Sequence, residues 1–190
     1  MAGLVPAIHD PPRGPKNVDA RDKPGHDDLP GIGLRYAMAR SKKLFTIGYE
    51  QTPPKAVLDE LEQAGVKLLV DVRAVTSSRR PGFSKKQLAA GLDERGIAYV
   101  HLAALGTPKE GRLAARSGQY ETLHKIYAKH LKTAQAKEEL DELSALVTKS
   151  GPICILCYER DHRHCHRRWI AEIIEERDGV GIENLAAKQT

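Results

Sequence analysis

The chain has 190 residues with a formal net charge of +5, and its 41% hydrophobic and 29% charged residues are typical of a soluble globular protein. It has no secretory signal pattern and no apolar run near the roughly 20 residues that a membrane-spanning helix needs. Three cysteines, an odd number, argue against a disulfide framework, so we predict a cytoplasmic protein without membrane association.

Residues 1–37 differ from the rest of the chain. They hold six of the eleven prolines and show no hydrophobic periodicity. Such a composition buries too little apolar surface to offset the entropy lost on ordering. We therefore predict that residues 1–37 are a disordered or spuriously translated extension, and that residues 38–190 form a single domain.

From Lys42 onward, short apolar runs alternate with stretches of helical periodicity. The predicted strands are 44–48, 66–72, 97–102, 152–157 and a short 180–185, and the predicted helices are 54–65, 84–95, 120–131, 134–149 and 165–177. Repeated β-α-β units with near-continuous apolar strands are typical of a parallel sheet covered on both faces. We predict a three-layer α/β/α fold with a mostly parallel sheet of about four to five strands.

Each predicted strand ends in polar or glycine residues. Because the carboxyl ends of parallel strands share one edge of the sheet, these residues predict a ligand cleft there. Glu50, Glu159 and His101 are candidate general acids or bases, and Gly106 permits close backbone approach. The strand-end candidates are Tyr49, Glu50, Asp71, Arg73, His101, Gly106, Cys157 and Glu159.

Cys165 is the sharpest candidate for reactivity. It stands at the predicted start of the last helix, beside His166 and Arg167, where a positive environment lowers the pKa of a thiol. These are conditions for a nucleophile or a redox thiol, with a structural cysteine as the alternative. Cys157 could form a disulfide with Cys165 or be a core residue. We predict that Cys154 is a core residue.

The same loop crowds several metal-ligating residue types together. Structural zinc sites usually pair ligands at short spacings and draw a second pair from elsewhere. Here Cys157, Cys165 and three histidines lie on one loop, and no further cysteine completes a set. We therefore predict no metal and no cofactor.

A second group of polar residues lies after the second strand. Asp71 either pairs with Arg73 or orients it toward an anion. Ser78 and Arg79 lie in a loop just before the start of a predicted helix, a position that favours binding of a phosphate group. Phe83 either anchors this loop or stacks on a base. Walker A and dinucleotide-binding motifs are absent.

Together these motifs resemble the DUF488 family, a domain of unknown function. The similar segments are Thr46-Ile-Gly-Tyr-Glu50, Asp71-Val-Arg73, Ser78-Arg-Arg-Pro-Gly-Phe-Ser84, Tyr99-Val-His-Leu102 with Leu105-Gly106, and Cys157, Glu159 and Cys165-His-Arg167. The resemblance runs from about Leu44 to Ile174 and implies a three-layer α/β fold with these motifs in one cleft. Many members have Thr-Ile-Gly-His-Ser in the first motif, so no histidine or serine role is carried to Tyr49 and Glu50.

The sequence favours an enzyme that acts on an anionic, phosphate-bearing substrate, a nucleotide or a nucleic acid. Arg73, Arg79 and Arg167 would bind the anion, Cys165 would act as the nucleophile or redox thiol beside His166, and Glu159 or Glu50 would move protons. The alternatives are a non-catalytic anion-binding or nucleic-acid-binding module, and a redox sensor that uses Cys157 and Cys165. The sequence leaves the oligomeric state open.

Overall fold

Five parallel strands form one sheet in the computed structural model, which describes residues 42–189. The strands are β1 (Lys43–Gly48), β2 (Leu68–Asp71), β3 (Ala98–His101), β4 (Ile153–Cys157) and β5 (Gly181–Asn184), in the spatial order β3-β2-β4-β1-β5. This confirms the predicted fold class, with every strand pair parallel. The extension predicted over residues 1–37 lies outside the described residues.

The helices of residues 42–189 follow the predicted positions, with two exceptions. They are α1 (Pro54–Gln63), α2 (Lys85–Asp93), α3 (Lys109–Arg116), α4 (Tyr120–His130), α5 (Ala134–Lys149) and α6 (Arg167–Asp178). The sequence analysis missed α3. It also began α6 two residues too early, because Cys165 is extended, with φ −118° and ψ 142°. None of the described helices is long and apolar enough to cross a membrane.

Helices cover both faces of the sheet, which explains the continuously apolar strands. Neighbouring strand residues such as Leu69 and Val70 point into opposite halves of the core. Helices α1 and α2 pack on one face, and α4, α5 and α6 pack on the other. Cys154 is fully buried in the first of these halves, as the sequence predicted.

The order of the strands places a crevice at the carboxyl edge. The chain passes from β1 to β2 and β3 toward one side of the sheet, then returns through β4 to β5 on the other side. The carboxyl ends of β2, β4 and β1 therefore meet at a topological switch point, where open α/β sheets bind their ligands. At this edge Gly48 pairs with Cys157, and Asp71 pairs with Leu156.

Candidate functional site

A cleft of about 970 Å³ opens at the carboxyl edge of the sheet. Its wall includes the ends of β1 and β4, the loop after β2, and α3. The ionisable and hydroxyl-bearing residues that line it are Tyr49, Glu50, Ser77, Ser78, Arg79, Arg80, Arg112, Arg116, Tyr120, Tyr158, Glu159, Asp161 and His164. A smaller cavity of about 470 Å³ lies at the amino edge, where Pro152 and Ile153 line it. Of the strand-end candidates, Tyr49, Glu50 and Glu159 line the larger cleft.

Four arginines line this cleft, and none forms an ion pair within residues 42–189. Arg80 is held by a hydrogen bond from Nη2 to the carbonyl of Thr52 at 2.8 Å, and Arg112 by one from Nη1 to the carbonyl of Thr107 at 2.6 Å. The sequence analysis found Arg79 but missed Arg112 and Arg116, because it missed α3. Their i,i+4 spacing, which places both on one helix face, was the available signal.

Two tyrosine rings stand exposed beside the arginines. Tyr158 is 42% exposed and Tyr120 is 41% exposed. The ring of Tyr158 packs edge-on against Tyr49, with centroids 5.4 Å apart, and Tyr120 stacks on His164 at 4.3 Å. His164 therefore belongs to the cleft wall.

Arg73 is buried and forms an ion pair with Asp71, and it does not line the cleft. Its Nε and Nη2 donate to the Asp71 carboxylate at 2.8 and 2.6 Å, while Nη1 donates to the hydroxyl of Tyr49 at 2.7 Å and the carbonyl of Phe83 at 3.0 Å. Burial alone would lower the pKa of Arg73, but the hydrogen bond and charge of Asp71 outweigh it and raise that pKa. Of the two predicted roles for Asp71, the structure thus shows the internal pair.

Three more predicted binding residues also have internal contacts. Phe83 is fully buried and stacks on Tyr49 at 4.1 Å, so it anchors its loop and has no face open to a base. His101 Nε2 lies 2.9 Å from the carbonyl oxygen of Arg73. A Cβ at Gly106 would lie 2.1 Å from the backbone nitrogen of Ala74, which is the close approach that glycine permits.

Arg167 is 1% exposed and binds the loop that follows β4. Its Nη1 and Nη2 donate to the carbonyls of Glu159 and Arg160, and its Nε donates to the hydroxyl of Thr46 at 3.2 Å. Arg167 therefore has no exposed surface for the predicted contact with an anion, because its N–H groups donate to the loop instead.

Cys157, Glu159, Cys165 and His166 form a compact cluster at the base of the cleft. Glu159 Oε2 lies 3.1 Å from Cys157 Sγ and 3.3 Å from Cys165 Sγ. His166 Nδ1 lies 3.5 Å from Cys157 Sγ and 3.9 Å from Cys165 Sγ. Glu159 is the one member that lines the cleft, and the other three are at most 5% exposed.

These four groups shift one another's pKa values. Burial raises the pKa of Cys157, and burial likewise raises that of Glu159. Burial opposes ionisation of Cys165, but the hydrogen bond from Cys157 and the charge of His166 outweigh it, so the pKa of Cys165 falls well below its usual value. Burial also opposes protonation of His166, but the charge of Cys165 outweighs it and raises that pKa. The neighbouring groups of Cys157 and His166, more than the nearby start of helix α6, thus favour a thiolate at Cys165.

The orientation of the His166 ring is fixed by the backbone. Nε2 lies 2.9 Å from the carbonyl oxygen of Val72, at the end of β2. Because a carbonyl only accepts hydrogen bonds, Nε2 carries a hydrogen. The other ring nitrogen, Nδ1, therefore faces the two thiols and the carboxylate.

The fold and the site together define a three-layer, parallel α/β protein with a polar cleft at its switch point. The family model for the domain of unknown function DUF488 matches residues 53–174, and the chain belongs to this family. The matched region includes the second to fifth motifs on which the resemblance was based. No curated protein and no solved structure matches the chain.

Proposed function

We propose that this protein is an enzyme that acts on a phosphate-bearing substrate, a nucleotide or a nucleic acid, bound in the cleft at the carboxyl edge. The four arginines that line the cleft without an ion-pair partner among residues 42–189 carry the proposal. Guanidinium groups bind phosphate oxygens through paired N–H donors, and the four arginines outnumber the three carboxylates of the lining, Glu50, Glu159 and Asp161.

The exposed tyrosines favour a nucleotide over a small inorganic anion. Tyr158 and Tyr120 present ring surface to the cleft that an inorganic anion would not cover. Aromatic rings of this kind stack on bases in single-stranded nucleic acids and nucleotides. The cleft volume of about 970 Å³ also falls within the range of small-molecule sites.

The cluster at the base of the cleft favours an enzyme over a binding module. Glu159 connects the cleft to two thiols and an imidazole, groups that anion binding alone does not need. Glu159 and Glu50 both line the cleft and are the candidates for moving protons on the substrate. Cys165 is 1% exposed, so its chemistry would reach the substrate through this cluster.

Replacing Arg79 or Arg116 with Gln should weaken nucleotide binding by about tenfold each, or about 1.4 kcal/mol, because each removes one charged hydrogen-bond donor group. Isothermal titration calorimetry with ATP and with a short single-stranded DNA would measure this. Arg177→Gln is the matched control: it removes the same charge at the far end of α6, where Arg177 pairs with Asp141 at 2.8 Å.

Equal binding by the wild type and both cleft variants, or no binding of either probe, would contradict the proposal. Mass spectrometry of the bound probes separates an enzyme from a module. We expect the wild type to convert a bound probe and Glu159→Gln to bind it without conversion, and binding without conversion by both proteins would support the non-catalytic alternative.

A further inference from the structure

We infer that Cys157, Glu159, Cys165 and His166 form a zinc site. One ligand atom from each, two Sγ, one Oε2 and one Nδ1, all lie within 4.8 Å of one another. Thiolate sulfur, imidazole nitrogen and carboxylate oxygen are the donors that zinc takes in proteins, and thiolates select it over harder divalent cations. The inference stands on this cluster and is independent of the proposed substrate.

The distances between the donor atoms fit a tetrahedron around zinc. With zinc bonds of about 2.3 Å to sulfur and about 2.1 Å to nitrogen or oxygen, tetrahedral angles place sulfur about 3.6 Å from the lighter donors. The four sulfur-to-nitrogen and sulfur-to-oxygen distances are 3.5, 3.9, 3.1 and 3.3 Å. These four distances lie within about 0.5 Å of that value, and all the donor atoms lie within 4.8 Å of one another.

The surroundings of His166 are those of a zinc ligand. Its Nε2–H points to the carbonyl oxygen of Val72 at 2.9 Å, so Nδ1 faces the cluster and, in the neutral ring, its lone pair would bind the ion. A histidine that binds a metal through one nitrogen commonly donates the other N–H to a carbonyl or a carboxylate, and this contact fixes its tautomer.

The charge of the cluster suits a cation once the thiols have lost their protons. The cluster holds a carboxylate and two thiols in a region where Cys157, Cys165 and His166 are at most 5% exposed. Among residues 42–189, the nearby Arg167 directs its donors to the hydroxyl of Thr46 and to carbonyl oxygens. A divalent ion would neutralise both thiolates, whose protons leave on binding.

The ligands differ in their access to the cleft. Cys157, Cys165 and His166 are buried, whereas Glu159 lines the cleft. Three fixed protein ligands with a fourth position toward a substrate cleft are typical of catalytic zinc sites. Glu159 is therefore the ligand that a water molecule from the cleft would replace.

The sequence analysis predicted no metal because it counted only cysteines and histidines. Glu159, two residues after Cys157, completes the donor set, and His162 and His164 lie outside it. All four donors lie between Cys157, the last residue of β4, and His166. The bend of this loop, held by Arg167, brings them together although their spacing differs from the usual paired pattern.

Protein purified without a histidine tag should contain about one zinc ion per chain, as measured by inductively coupled plasma mass spectrometry. In competition with a chromophoric chelator, Cys157→Ser and Cys165→Ser should each weaken zinc binding more than about tenfold. Cys154→Ser is the matched control, since this third buried thiol lies on the opposite face of β4, and it should keep the zinc. Circular dichroism would verify that each variant is folded.

Cobalt substitution tests the site in the wild-type chain, where no variant has to fold. We expect a thiolate-to-cobalt charge-transfer band and the strong d–d bands of tetrahedral coordination. Folded wild type that takes up neither zinc nor cobalt would overturn the inference. A Cys157–Cys165 disulfide that forms as readily in zinc-treated as in zinc-free wild type would also overturn it, because zinc-bound thiolates are protected from pairing, and it would favour the redox-sensor alternative.

The zinc inference and the proposed function fail separately. Arg79→Gln and Arg116→Gln should keep the zinc while they lose nucleotide affinity. Zinc in a protein that binds no nucleotide would contradict the proposed function alone. Nucleotide binding that depends on the arginines, in a protein without zinc, would contradict the metal site alone.

Discussion

Replacing Arg73 with Met should destabilise the protein by about 3–5 kcal/mol, because it leaves a buried carboxylate without its cation. Asp71 is fully buried and Arg73 is 5% exposed. The carboxylate also accepts a hydrogen bond from the hydroxyl of Tyr99 at 2.7 Å, which cannot replace a positive charge. For a chain of this size we expect a drop in Tm of roughly 10 °C.

Arg163→Met is the matched control for this prediction. Asp161 and Arg163 have the same two-residue separation and nearly the same distance, 2.7 Å against 2.6 Å, but both side chains are solvent-accessible. Water screens such a pair, so its loss should hardly change stability. Urea unfolding followed by circular dichroism measures both variants. A difference below about 1 kcal/mol between them would show that the Asp71–Arg73 pair does not hold the sheet edge together.

Replacing Gly48 with Ala should both destabilise the fold and disrupt the cluster at the base of the cleft. A Cβ at Gly48 would lie 1.9 Å from the carbonyl oxygen of Glu159 and 2.7 Å from its carbonyl carbon. Backbone cannot yield as a flexible side chain does, so either β1 or the loop after β4 must move. We expect about 1–3 kcal/mol of destabilisation, as for other overpacked positions.

The displaced loop carries the proposed zinc ligands, so Gly48→Ala should also weaken zinc binding by more than about tenfold. Gly181→Ala is the control. Gly181 lies in β5, the strand that pairs with β1, and a Cβ added there would have nothing within 4 Å. Unfolding free energy and chelator competition test both effects. Equal behaviour of the two alanine variants would contradict the close contact between β1 and this loop.

The fold was predictable because each strand is a short apolar run with helices on either side. Strands such as β2 and β4 are buried on both faces, which leaves an unbroken apolar signal in the sequence. Helix α3 was missed because its sequence, Lys-Glu-Gly-Arg-Leu-Ala-Ala-Arg, has few apolar residues to mark a period. It buries only Gly111, which has no side chain, and Ala114, whose methyl group gives little hydrophobic signal.

The sequence identified which residues form the candidate site better than it identified what each residue does there. The strand ends identified Cys157 and Glu159, and the predicted start of the last helix identified Cys165 and His166; the structure brings all four together. Exposure could not be inferred for Arg73 and Arg167, because an arginine that binds an anion and one that binds a buried carboxylate or carbonyl have the same local sequence. Only the packed structure gives these two residues their internal partners.

A crystal structure of the protein grown with a nonhydrolysable ATP analogue tests the proposed function most directly. We predict that the phosphates lie in the carboxyl-edge cleft within hydrogen-bond distance of Arg79 and Arg116, with the base against Tyr158 or Tyr120. An analogue bound elsewhere, or a cleft that stays empty at saturating analogue concentration, would contradict the account.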